Sequence, residues 1–125
     1  MILFKTSIPG RVPVKKNTAK VFKFGAVYSK AWKAWEKEAL HLLRQQGIKE
    51  PISEYCQMKL TFYLKNHQWE PDVSNVCEGP QDVLQKANIL TDDKYIKKLL
   101  AEKNFNAEEP RVEIEIHSLG SHWRN

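Results

Sequence analysis

The sequence predicts a single α+β domain over residues 1–125, a mixed β-sheet with two main helices packed on one side. The first ground is alternation: along "QMKLTFYLK" (57–65) and "RVEIEIHSL" (111–119) apolar and polar residues take turns, as in strands with one buried face. The second is helical periodicity, with Trp32, Trp35, Ala39, Leu42 and Leu43 recurring at i, i+3, i+7, i+10 and i+11. The third is order, because the periods succeed one another as strand, helix, strand, helix, strand, strand.

Taken from the amino terminus, "MILFKTSIPG" reads as a strand ended by Pro9-Gly10, with Ile2, Phe4 and Ile8 on one face. "GRVPVKKNTAK" follows as a basic loop, and "VFKFGAVY" (21–28) reads as two short strands about Gly25 or an irregular arm. Ser29 is placed to cap the first helix and Gly47 to end it; its tryptophans, lying beside leucines at helical spacing, belong to the core. Residues 57–65 put Met58, Leu60, Phe62 and Leu64 inward and leave a basic outer face. A second helix over 75–87 turns Val76, Val83, Leu84 and Ala87 inward, and its start slips toward Pro80 because proline removes a backbone donor. "YIKKLLAEK" (95–103) favours helix by propensity, yet a hairpin through "NFNAEEP" would give the last strand, with Val112, Ile114 and Ile116 inward, a partner.

Charge is unevenly spread. Residues 1–50 carry eleven Lys/Arg and three acids, whereas 51–125 carry nine and twelve, so the halves are +8 and −3. No acid precedes Glu36, and the field made by Lys5, Arg11, Lys15, Lys16, Lys20, Lys23, Lys30 and Lys33 suits a polyanion such as nucleic acid. No apolar run reaches the ~20 residues of a membrane span, which predicts a protein that neither crosses a membrane nor carries a secretory signal. Cys56 and Cys77 fit no zinc spacing, which predicts reduced structural thiols in a cytoplasmic protein.

Against that background "PDVSNVCEGPQDVLQKANILTDD" (71–93) gathers Asp72, Glu78, Asp82, Asp92 and Asp93. Clustered carboxylates raise one another's pKa unless a cation holds them. Oxygen donors without Cys or His nearby point to Mg²⁺, with Mn²⁺ as the other candidate, and such an ion promotes attack of water on a phosphodiester. Each acid also has a plain structural reading: Asp72 or Asn75 as a helix cap, Glu78 as part of a capping box, Asp82 as a solvated helix acid, Asp92-Asp93 as a polar turn.

"PDVSNVCEGPQDVLQKANILTDDKYI" resembles the signature of RusA-type Holliday junction resolvases, crossover-junction endodeoxyribonucleases common in phages and prophages. "IPGRVPVKKNTAKV", "VYSKAWKAWEKEAL" and "EEPRVEIEI" resemble that family's basic loop, the approach to its first helix and its last strand, so the likeness covers nearly the whole chain. Two positions depart: Ser74 stands where most relatives have a second aspartate, and Glu78 where many have a lysine. The resemblance implies a RusA-like fold, a cytoplasmic homodimer without small-molecule cofactor, and cutting of four-way or other branched DNA. It implies Asp72 and one or both of Asp92 and Asp93 as catalytic metal ligands, with Glu78 one turn into the helix taking the place of the acid missing at Ser74, and with Asn75 and, more weakly, Asp82 behind them. Lys15, Lys16, Asn17, Lys20, Lys23 and Lys30 become the candidates for phosphate contacts.

Three other readings fit the same residues. Loss of an acid at Ser74 would suit an inactive DNA-binding relative. Pro71-Asp72 with Asp92-x-Lys94 also fits the loose PD…(D/E)-x-K nuclease string, and the Trp-rich helix could serve a non-nucleic-acid partner.

Overall fold

The computed structural model describes residues 1–14, 30–68 and 70–120, together with the backbone of 19–22 and 25–28. Strands β1 (Ile2–Pro9), β4 (Cys56–Tyr63), β5 (Ile96–Asn104) and β6 (Arg111–Ser118) form one sheet in the order β1-β6-β4-β5. β6 is antiparallel to both β1 and β4, while β5 is parallel to β4, so the sheet is mixed. Two short strands, β2 (Ala19–Phe22) and β3 (Gly25–Tyr28), pair separately as an antiparallel ribbon. Helix α1 (Lys30–Gln46) and the broken helix α2 (Val73–Val76) and α3 (Glu78–Lys86) complete the α+β plan.

The ambiguous segment 95–103 is a strand, but not half of the expected hairpin: β6 passes beyond β5 and inserts between β1 and β4. Burial explains the choice. Val112, Ile114 and Ile116 are fully buried, so β6 gains most from two strand neighbours; β5, with Lys97, Lys98 and Glu102 exposed, tolerates an edge. A helical crossover between β4 and β5 is the connection a parallel pair requires.

On the helix-facing side lie Phe4, Thr6 and Ile8 from β1, the three apolar residues of β6, and Met58, Leu60 and Phe62 from β4. Ile2, expected to face inward with Phe4, is instead exposed, because the β1–β6 register shifts between Ile2 and Phe4. Helix α1 contributes Trp32, Trp35, Ala39 and Leu43 to the core, with the two indole rings 5.6 Å apart, and Leu42 is only half-buried. The tryptophans are therefore core residues, 2% and 6% exposed, unavailable for stacking on bases. Gly47 ends α1 at φ +51°, its N–H donating to the Leu43 carbonyl at 3.3 Å. The proposed Ser29 cap lies outside the described residues.

Proline shapes the second helix. Pro80 cannot donate to the Val76 carbonyl one turn back, and the helical run divides at Cys77, which keeps αR geometry at φ −69° and ψ −21°. Helix thus begins at Val73, earlier than expected, and resumes at Glu78 with Pro80 tolerated in its first turn. Gly79 is needed where the pieces meet α1: a Cβ there would come 3.1 Å from Trp32 Cζ3 and 3.4 Å from Trp35 Cζ3. Gly79→Val is expected to lower stability by about 1–3 kcal/mol through overpacking, measured as a reduced urea midpoint at unchanged m-value.

Candidate active site

Asp72 immediately precedes α2 in extended geometry, φ −67° and ψ 135°. Its carbonyl accepts the N–H groups of Asn75 and Val76, both at 3.1 Å, so the backbone of Asp72 caps the first turn. The side chain does not cap. It stays exposed, with Asn75 Nδ2 at 3.4 Å from Oδ2, leaving most of the carboxylate's acceptor capacity unused by the fold.

A latch on β5 fixes the loop that leads into Asp72. Lys103 Nζ donates to Glu70 Oε2 at 2.5 Å and to the Pro71 carbonyl at 3.0 Å. Glu70 is also 3.1 Å from His67 Nδ1, and the His67 ring stacks on Phe105 at 3.8 Å. Hydrogen bonding from Lys103, then from His67, holds the Glu70 carboxyl below the usual carboxylate range. Lys103 was not singled out in the sequence, although it is paired with inward-facing Phe62; a charge in that register has to find a partner on the helix side.

Asp92 and Asp93 open the turn before β5. Asp92 caps a single 3-10 turn (Asp93–Tyr95), Oδ1 accepting the Lys94 N–H at 2.8 Å, and this bond is the main cause of its lowered pKa. The Asp93 N–H donates to Gln85 Oε1 at 3.3 Å, which ties the acidic turn to the last turn of α3. Asn88, in left-handed geometry at φ 63°, lets the chain reverse beyond α3, and Ile52 then holds the connector through Ile89 and Thr91.

Asp72 and the Asp92-Asp93 pair therefore lie at opposite ends of α2–α3, a helical run of about 20 Å at 1.5 Å per residue. Strand β5 gives the same answer, since Lys103 at its far end grips Pro71 while Asp93 lies just before its start. Glu78 is exposed at the first position of α3 and closes no capping box, because α2 already begins at Val73. Asp82 faces α1, 3.0 Å from Lys86 Nζ, whose ammonium also reaches Glu36 at 2.6 Å and is raised in pKa chiefly by that contact. One chain brings Asp72 to Asn75 and joins Asp92 to Asp93, but it does not unite the two groups. Among the described residues no three His, Cys, Asp or Glu side chains gather to hold a metal ion.

The donor chemistry nonetheless suits a hard divalent cation: exposed carboxylate oxygens at both ends, with both cysteines buried, their thiols donating to the Val73 and Tyr95 carbonyls, and the Cys56 thiol pushed up to about 11 by burial. Of the candidate DNA contacts, Lys15, Lys16, Asn17 and Lys23 lie outside the described residues. Lys20 belongs to β2, where its backbone pairs with Val27, and Lys30 is exposed at the start of α1. Among the described residues no helix is long and apolar enough to cross a membrane.

No curated protein matches the chain. The family model described as endodeoxyribonuclease RusA matches residues 9–117. That span holds the whole broken helix, the acidic turn, all of β4 and β5, and β6 except Ser118. The family is one of Holliday junction resolvases, generally dependent on a divalent metal. With nearly all of its length matched, this chain belongs to the RusA endodeoxyribonuclease family.

Proposed function

We propose that the protein is a homodimeric, Mg²⁺-dependent endonuclease that nicks four-way DNA junctions, and that each of its two active sites is built from both chains. The observation that carries this reading is the placement of two incomplete acidic groups at the two ends of one sheet-edge strand with an apolar centre. Leu99 and Leu100, in the middle of β5, are 43% and 52% exposed, and among the described residues no strand pairs with the outer side of β5. Such an edge is a template for a second copy.

Antiparallel pairing of β5 with its twin about a two-fold axis at Leu100 sets Leu99 against the partner's Ala101 and Lys98 against the partner's Glu102. Apolar and oppositely charged pairs then face each other at the centre, while Lys97 comes opposite the partner's Lys103, whose charge Glu70 of its own chain already offsets. Ile96 lies opposite the partner's Asn104. Each Asp92-Asp93 turn is thereby carried to the end of β5 where the partner's Lys103 holds the loop of the partner's Asp72.

Asp72 of one chain with Asp92 and Asp93 of the other would hold the ion, Glu78 supplying a further carboxylate and Asn75 orienting Asp72. When bound, Mg²⁺ or Mn²⁺ supplies Lewis-acid stabilisation of the phosphodiester and lowers the pKa of the attacking water. The chain's own part is positional. The Lys94 N–H fixes the Asp92 carboxylate, Gln85 fixes the turn, and Lys103 fixes the approach to Asp72. Two such sites related by a two-fold axis suit paired cuts in the opposed strands of a symmetric junction. The basic segment 15–30 supplies phosphate contacts that position DNA without reading sequence.

Subunit mixing tests this. Asp72→Asn chains and Asp92→Asn/Asp93→Asn chains are each expected to leave synthetic junctions whole in Mg²⁺. Co-refolded at equal amounts, they should regain about one quarter of wild-type nicking, because half of the dimers then hold one intact site. No recovery would place all ligands in one chain. Binding of junctions by wild type without nicking, in any divalent metal, would make the protein an inactive relative.

Leu100→Glu should leave the circular dichroism spectrum unchanged while shifting sedimentation from dimer to monomer and abolishing nicking. EDTA should stop nicking of wild type and spare most junction binding, read by gel shift.

A further inference from the structure

Parallel pairing of β4 and β5 has an effect at the acidic end that the metal ligands do not use. Cys56 and Ile96 are register partners at the start of the two strands, so the preceding residues, Tyr55 and Tyr95, emerge side by side. Their rings are 6.2 Å apart, tilted by 48°. Lys97 Nζ stands 4.3 Å from the Tyr55 ring centroid and Lys94 Nζ 5.3 Å from that of Tyr95. Among the described residues neither ammonium has a carboxylate within ion-pair distance, and both lysines are exposed.

The platform is anchored. The Cys56 thiol donates to the Tyr95 carbonyl at 3.6 Å, and the Tyr55 carbonyl accepts the Leu119 N–H at 3.3 Å. Both rings are half-buried, so each presents only part of its surface. Asp93 and Asp92 are two and three residues before Tyr95, and Lys94 lies between. Within the fold both ammoniums are held only against ring faces, so each keeps N–H donors available to a ligand. Aromatic rings alternating with lysines are the arrangement that receives an unpaired nucleotide, base on ring and phosphate on ammonium.

We propose that Tyr55, Tyr95, Lys94 and Lys97 form a subsite for the nucleotide adjoining the cut phosphate, stacking a base that has left its helical partner at the branch point. This rests on the nuclease reading above for its position, but not for its chemistry, which is that of single-stranded DNA. Lys94 and Lys97 neutralise flanking phosphates, and a tyrosine face takes the base. Continuous duplex, whose bases are already stacked on each other, does not enter it.

The test is carried out on the full chain in EDTA, so that no cutting is required. A four-way junction carrying 5-iodouracil at the branch point is irradiated with the protein, and the cross-linked peptide is identified by mass spectrometry. Cross-links are expected at Tyr55 or Tyr95, and to fall sharply when the same modified base sits inside continuous duplex. Tyr55→Leu, which keeps an apolar side chain, should weaken junction binding about tenfold. Lys94→Gln with Lys97→Gln, both surface changes, should reduce the slope of log affinity against log salt by about one to two. Circular dichroism is read alongside for each variant.

Cross-links confined to other residues, with both variants binding as wild type does, would overturn the subsite even if nicking is observed. Branch-point cross-links at the tyrosines in a protein that never nicks would support the subsite and sink the nuclease reading. Failure of wild type to bind any DNA would overturn both.

Discussion

Everything that gives this chain a functional geometry depends on the parallel ladder between β4 and β5. A parallel partner has to be reached by a crossover, and the broken helix α2–α3 is that crossover. Its two ends carry the acids, one group where the chain leaves β4 and the other where it enters β5. Had residues 95–103 turned back onto β6 as a hairpin, β5 would not lie beside β4, and the tyrosines that precede the two strands would have been separated. The ladder also explains why Lys103 faces the helix layer beside Phe62 and can hold the Pro71 carbonyl.

Electrostatics then separates acids that resemble each other in the sequence. Asp82 and Glu36 share Lys86 and bridge α3 to α1, which is a packing role. Glu70 is committed to Lys103 and His67. Asp72, Glu78 and Asp93 are exposed, and none carries a side-chain ion pair among the described residues. Of the acids between residues 70 and 93, those left outside ion pairs among the described residues are Asp72, Glu78, Asp92 and Asp93.

Much of the fold was legible because its signals are periodic. Alternation over β4 and β6 and the helical repeat of Trp32, Trp35, Ala39 and Leu43 determine which faces are buried, and those faces are the ones observed. Strand order was not legible, since local pattern cannot tell a hairpin from a parallel edge; the full burial of Val112, Ile114 and Ile116 decides it, and burial is a property of the whole domain. The acidic residues could be chosen from the sequence, yet their separation could not, because it follows from the length of the helical run between them. Lys103 escaped notice for a similar reason: its importance lies in the side of the sheet it faces, and residues 96–103 alternate too weakly to reveal that side.

The opposite edge of the sheet has been made unsuitable for pairing. β1 begins with a register shift between Ile2 and Phe4, ends at Pro9, which offers no amide hydrogen, and exposes Lys5 between them. A sheet blunted at this margin offers a further strand at most its β5 side. Growth into an open-ended fibre, the hazard of any sheet with two sticky sides, is closed off by the first nine residues.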